Sequence, residues 1–136
     1  MNTHFEFRSK HFPPLDGEEE SINPGCYGKS LAIFISNRLS LSGIKTWEPS
    51  TEDWGWYLPL SEMGFNAWIG CGAVHESINR FLCFIYPDRA SFWHLGKKKR
   101  VEDGLRRLSA AMIQALSDEK IEDLKLYTYD EYKKGA

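Results

Sequence analysis

The chain has 136 residues, of which 42% are hydrophobic and 26% charged, a balance typical of globular proteins and not of disordered ones. Seventeen basic residues against nineteen acidic ones leave a formal net charge of −2, which favours no polyanionic partner. Three cysteines are too few for a disulfide framework, and no apolar run approaches the roughly 18 residues that a membrane span needs. We therefore expect a cytoplasmic protein with no membrane partner and a single domain, residues 1–136.

The N-terminal segment, residues 1–22, predicts a short strand followed by an irregular acidic loop. Phe5 and Phe7 alternate with polar residues, as in a strand with one apolar face. The rest of the segment contains two prolines, a glycine and three consecutive glutamates at 18–20, which are typical of a loop.

Asn23-Pro24-Gly25 is typical of a helix start, because Asn caps free backbone N–H groups and Pro lacks a donor that would have no partner there. Gly43 predicts the end of this helix. Apolar residues at helical spacing predict its buried stripe: Leu31, Phe34, Ile35 and Leu39.

The middle of the chain predicts an antiparallel meander. After a short candidate strand at 44–47, Trp54, Trp56, Leu58 and Leu60 alternate and predict a strand with one apolar face. Residues 65–74 predict the next strand, in which Gly70 and Gly72 weaken the strand or admit a close neighbour. Residues 80–86 are apolar on both faces, as in a central strand.

The C-terminal part predicts a helical turn at 90–95, a second long helix, a last strand at 121–129 and a frayed tail at 131–136. The stripe of the helix is Val101, Leu105, Leu108, Met112 and Leu116. The order β-α-β-β-β-(α)-α-β predicts the α+β class. We expect a two-layer sandwich with a mainly antiparallel sheet of about five strands and two long helices on one face.

The run Glu52-Asp53-Trp54-Gly55-Trp56 resembles a motif of a family of small bacterial proteins with no established activity. Asn23-Pro24-Gly25, Gly28-Lys29 and Trp68-Ile69-Gly70-Cys71-Gly72 extend the resemblance over residues 22–87. It implies a bacterial, cytoplasmic, single-domain protein and no mechanism.

Cys26 is the candidate reactive thiol, because the dipole of the predicted helix lowers a thiol pKa in the first turn. The alternative is a half-buried structural cysteine.

The glycines at 25 and 28 enclose two residues, whereas a phosphate loop has four between its first Gly and the Gly-Lys pair. Cys71, His75 and Cys83 lack the paired spacing of a zinc site. We predict neither a metal nor another cofactor.

Glu52 and Asp53 adjoin Trp54 and Trp56, and Trp68 lies on the next predicted strand. A carboxyl group against an indole has a raised pKa and serves as a general acid in some enzymes. The alternative is a turn in which Asp53 caps backbone groups while the tryptophans fill the core.

Residues 89–107 carry seven basic residues against two acidic ones. Their densest run, Lys97, Lys98, Lys99 and Arg100, is the candidate basic patch for nucleic-acid phosphates. It has no interleaved stacking aromatics and the whole chain is not basic, which disfavours nucleic acid as the partner.

The leading prediction is a non-enzymatic protein–protein interaction module, of the inhibitor or toxin-neutralising type, that uses an aromatic sheet face and acidic segments. If Trp47, Trp68 or Trp93 lies on the open side of the sheet, the sheet presents an exposed apolar patch. The feature that distinguishes this prediction is a contiguous exposed aromatic patch with no deep pocket. One alternative is a small enzyme or ligand-binding domain with a site near Cys26 and Glu52/Asp53. The weaker alternative is nucleic-acid binding through 97–107.

Overall fold

The computed structural model describes residues 1–18, 27–87 and 98–135. The strands are β1 (His4–Arg8), β2 (Lys45–Thr46), β3 (Ser50–Glu52), β4 (Gly55–Ser61), β5 (Ala67–Ala73), β6 (Arg80–Pro87) and β7 (Glu122–Tyr127). The helices are α1 (Lys29–Leu41), α2 (Lys98–Leu116) and α3 (Tyr129–Lys133), with a 3-10 turn at Val74–Glu76. The predicted α+β class is confirmed.

The strands form one antiparallel sheet in the order β2-β4-β5-β6-β1-β7, and β3 pairs with the same edge of β4 as β2 does. The predicted meander is β4-β5-β6. The sheet has seven strands and not about five, partly because its edge beside β4 is interrupted between β2 and β3. The interruption contains Pro49, which cannot donate a ladder hydrogen bond.

The hydrophobic core lies between α1, α2 and one face of the sheet. The predicted stripe of α2 is entirely buried, and that of α1 is buried except for Phe34, which packs against the core at partial exposure. The strands contribute alternate residues, as a period of two requires: Phe5, Phe7, Trp56, Leu58, Leu60, Ala67, Ile69, Cys71, Phe81, Cys83 and Ile85. As predicted, β6 is apolar on both sides.

Glu18 departs from the solvated acidic loop that the sequence predicts. Its side chain is buried, and its oxygens accept hydrogen bonds from the backbone N–H groups of Leu15 (2.9 Å), Gly28 (2.8 Å) and Lys29 (2.9 Å). The last two groups lie at the start of α1, where N–H groups have no partner within the helix. Glu18 therefore caps α1 from ten residues upstream.

The C-terminal segment forms α3, in contrast to the frayed tail predicted at 131–136. Thr128 caps the helix: its hydroxyl accepts from the Glu131 N–H at 3.2 Å, and the Glu131 carboxylate accepts from the Thr128 N–H at 2.9 Å. This capping box satisfies two backbone donors at the helix start.

The predicted helix start at Asn23-Pro24-Gly25 and the predicted helical turn at 90–95 lie outside the described residues. Within the described part of the chain, no helix combines the length and apolarity that crossing a bilayer requires.

We expect Glu18→Ala to lower the free energy of unfolding by about 1–3 kcal/mol, because it leaves buried N–H groups without an acceptor. Glu18→Gln keeps one acceptor oxygen and should lower the free energy of unfolding by less. Urea denaturation measures both, and Asp16→Ala, at an exposed position two residues earlier, is the matched control. Equal stability of the Glu18→Ala and Asp16→Ala proteins would contradict the capping role.

Candidate interaction surface

The sheet face that points away from α1 and α2 carries a continuous set of aromatic rings, and we call it the open face. Trp68 lies at its centre: its ring is 4.7 Å from that of Tyr86, 5.5 Å from Phe84, 5.6 Å from Tyr57 and 5.9 Å from Trp54, between centroids. These separations are typical of favourable aromatic pairs. The rings therefore support one another across β4, β5 and β6.

Glycine in β5 lets two of these rings lie directly on the sheet. A Cβ atom at Gly70 would meet the ring of Phe84 and would lie 2.8 Å from the ring of Trp54. The prediction that the glycines of this strand admit a close neighbour is thus confirmed for Gly70. The sequence predicts Trp54 on the core side with Trp56, and this prediction is wrong: Trp54 lies in the turn between β3 and β4, where strand alternation does not apply, and its ring contacts the open face.

The structure separates the candidate residues of the Glu52–Trp56 run. Trp56 is buried on the core side, with the Lys29 ammonium 5.2 Å from its ring centroid, whereas Trp54 and Trp68 stack on the open face. Glu52 pairs with Gly55, which places it on the open-face side by register. Glu52 and Asp53 are both exposed at the rim of this face.

Water reaches a substantial part of the aromatic surface. Trp47 is 64% exposed, Tyr129 50%, Tyr86 47% and Trp54 37%. At roughly 150–250 Å² per aromatic side chain, these fractions leave on the order of 400 Å² of ring surface exposed. The largest apolar patch of a typical monomeric protein is of this size, roughly 300–600 Å², and it is often functional. Trp68 lies on the open side of the sheet, and Trp93 lies outside the described residues.

Two grooves flank α3 on the open face. The larger, of about 620 Å³, is lined by Glu6, Trp54, His75, Leu82, Phe84 and Tyr132 among others. The smaller, of about 290 Å³, is lined by His4, Phe84, Tyr86 and Tyr129 among others. Phe84 lines both, so the grooves are parts of one surface that α3 crosses.

His4 holds α3 on the open face. Its ring is stacked 4.3 Å from that of Tyr132 and 5.7 Å from that of Phe84, and Nδ1 lies 2.9 Å from the Thr3 hydroxyl. Burial lowers the pKa of His4, because desolvation disfavours the imidazolium form. Sequence analysis missed His4 and Tyr132, although the alternation of His4 and Glu6 with Phe5 and Phe7 signals which side chains of β1 leave the core.

The two layers carry opposite charge. The strands, the residues linking β2 to β4, Glu62 beyond β4, and α3 carry nine carboxylates against five cations, a net charge of −4. Helices α1 and α2 carry seven cations against two carboxylates, a net charge of +5. The open face is one side of the acidic layer, and by register it carries Arg80 and Lys125 beside Glu6.

The candidate basic patch lies in the helix layer. Lys98, Lys99 and Arg100 are exposed in the first turn of α2, and Lys97 lies outside the described residues. Arg107 donates to the carbonyl oxygens of Ser42 and Gly43, at 3.3 Å each, after the end of α1. The cations and the stacked rings are thus on opposite layers.

Cys71 and Cys83 face each other across β5 and β6 with their sulfur atoms 3.8 Å apart, and both are buried. Burial, followed by the hydrogen bond to Cys71, raises the pKa of the Cys83 thiol. His75 is exposed beside the larger groove, so it is not grouped with them. Within the described residues, no three histidine, cysteine or acidic side chains are grouped as metal ligands. Cys26 lies outside the described residues.

Comparisons of the chain with protein-family models, with curated proteins and with solved structures each find no match. The resemblance carried by the Glu52–Trp56 run therefore stays a prediction.

His4 should make the protein less stable as the pH is lowered below about 6.5, the usual pKa of a histidine in an unfolded chain. Since the pKa of His4 is lower in the folded than in the unfolded state, the unfolded state binds more protons below that pH. The free energy of unfolding therefore falls, by at most about 1.4 kcal/mol for each pH unit. Urea midpoints between pH 7.5 and 5.5 measure this dependence. His4→Phe should flatten it, whereas His75→Gln, at an exposed histidine, should not. An unchanged slope in His4→Phe would contradict the assignment.

In a Cys26→Ser variant, Cys71 and Cys83 should react with a thiol-specific disulfide reagent only at the rate at which the native structure opens, because both side chains are buried and the reagent cannot reach them in the closed structure. The reaction is followed by the absorbance of the released thiol with and without urea. Rapid reaction of either cysteine in native protein would show that these thiols are accessible.

Proposed function

We propose that the protein is a non-enzymatic interaction module whose open face binds a basic surface of a partner protein. The observation that carries the proposal is a set of contacting rings within a layer of net charge −4: Trp54 and Tyr86, which are exposed, and Trp68 and Phe84, which are partly buried. Aromatic side chains in such surfaces supply large contact areas at a low cost in side-chain entropy.

The charge distribution supports a protein partner over a nucleic acid. Proteins that stack bases on an aromatic sheet surround the rings with cations that bind the phosphates. Here the surplus of cations belongs to α1 and α2, and the aromatic rings lie in the acidic layer. A phosphate backbone at the open face would be repelled, whereas a lysine- and arginine-rich protein surface would be attracted.

The size of the surface supports the same proposal. Together with Trp47 and Tyr129, the exposed rings of Trp54 and Tyr86 contribute on the order of 400 Å². This is about half of the roughly 800 Å² that each partner buries in a standard interface. The rest would come from the polar rim, which includes Glu52 and Asp53. A small acidic protein that covers a basic site acts by blocking it, which is the inhibitor or neutralising role predicted from the sequence.

The test is affinity capture from the native lysate by three forms of the tagged protein: wild type, Trp54→Ala/Tyr86→Ala, and Ile33→Ala. Ile33 is an exposed apolar residue of α1 in the opposite layer, so it is the matched control. We expect wild type and Ile33→Ala to retain one stoichiometric protein of basic pI. The double variant should bind it about 1,000-fold more weakly, because two aromatic anchors of about 2 kcal/mol each contribute about 4 kcal/mol together.

The binding constants are then measured with the purified partner at several salt concentrations, and urea midpoints verify that the variants are folded. Equal binding by the double variant and by Ile33→Ala, or capture of nucleic acid in place of a protein, would contradict the proposal.

A further inference from the structure

The larger groove of the open face combines aromatic walls with a carboxylate. The rings of Trp54 and Phe84, with centroids 5.2 Å apart, line the groove together with Tyr132 of α3. Leu82 and Glu6 also line the groove, as neighbouring open-face residues of β6 and β1 that pair by register.

The carboxylate of Glu6 is partly available. Its side chain is 18% exposed, and Oε1 accepts a hydrogen bond from Arg80 at 2.9 Å. Within the described residues Oε2 accepts no hydrogen bond, and Lys125, which pairs with Glu6 by register on β7, forms no ion pair with it. Burial, followed by the negative charge of Glu6, raises the pKa of the Tyr132 phenol. The carboxylate therefore acts electrostatically on the Tyr132 ring of the groove.

This combination fits one side chain better than others. A guanidinium group is planar, stacks on aromatic faces and donates several hydrogen bonds to a carboxylate. An ammonium group lacks the plane, and an uncharged side chain leaves the carboxylate oxygen without a partner. The nearest cation of α3 is directed elsewhere, since the Lys133 ammonium lies 6.0 Å from the Tyr129 ring, which lines the smaller groove.

We infer that the groove between Trp54 and Tyr132 binds an arginine side chain of the partner, stacked on the aromatic wall and bonded to Glu6. The inference rests on the proposed function and deepens it, because it names the group of the basic partner that this part of the open face recognises.

The probe is the tripeptide acetyl-Gly-Arg-Gly-amide, and its control is the same peptide with citrulline, which has the shape of arginine without the charge. Titrations are followed by NMR on the full chain, through the indole N–H of Trp54 and the ring protons of Phe84 and Tyr132. We expect the arginine peptide to shift these resonances and the citrulline peptide to bind about tenfold or more weakly, as loss of a hydrogen bond between charged groups implies.

Two variants separate the role of Glu6 from that of its ion pair. Glu6→Gln should weaken the binding of the arginine peptide about tenfold or more. Arg80→Gln removes the same ion pair but leaves the carboxylate, and it should bind the peptide at least as well as wild type. Urea midpoints verify that both variants fold. Absence of shifts up to the solubility limit of the peptide, equal binding of both peptides, or wild-type affinity in Glu6→Gln would overturn the inference.

The same Glu6→Gln protein distinguishes this inference from the proposed function. If the partner is captured through Trp54 and Tyr86 but binds wild type and Glu6→Gln equally, the arginine site is wrong and the interaction module stands. If the Trp54→Ala/Tyr86→Ala variant binds the partner as tightly as wild type does, the interaction module itself is wrong.

Discussion

Strand β6 is apolar on both faces, and the rest of the structure depends on this constraint. Because successive residues of a strand point to opposite sides, Phe81, Cys83 and Ile85 must enter the core while Leu82, Phe84 and Tyr86 must leave it. α1 and α2 cover the first set. Among the described residues, the second set is covered in part by the ring of Trp68 and by α3, so burying the core leaves an aromatic surface on the other side.

The distribution of charge follows the same division into layers. Five of the seven cations of α1 and α2 lie on the exposed side of α2, and the carboxylates are concentrated at the strand ends, the β3–β4 turn and α3. A net charge of −2 for the whole chain therefore hides two layers of opposite sign. This matters for function because a partner meets one layer and not the average charge, and the rings lie in the layer that has the surplus of carboxylates.

Periodicity predicted the parts of the fold that depend on one element at a time. The stripes of α1 and α2 and the two-sided β6 are visible in the sequence because their spacing of apolar residues is regular. Trp54 was misplaced because a turn breaks the alternation of β4, and the burial of Glu18 depends on a contact with α1 that no local pattern encodes. The start of α3 did carry a signal, since Thr128 and Glu131 have the spacing of a capping box.

The open face also owes its shape to α3, which is held there by few interactions. None of its residues is buried, and its ring contacts with the sheet are those of Tyr132 with His4 and Tyr127 and that of Tyr129 with His4. Helices with so little buried surface open at a small free-energy cost. Because Tyr132 is both a wall of the larger groove and the anchor of α3, a ligand that contacts this ring in place stabilises the docked helix. By thermodynamic linkage, docking of the helix strengthens the binding of that ligand by the same factor. Ligand binding in the groove and the attachment of α3 are therefore coupled equilibria.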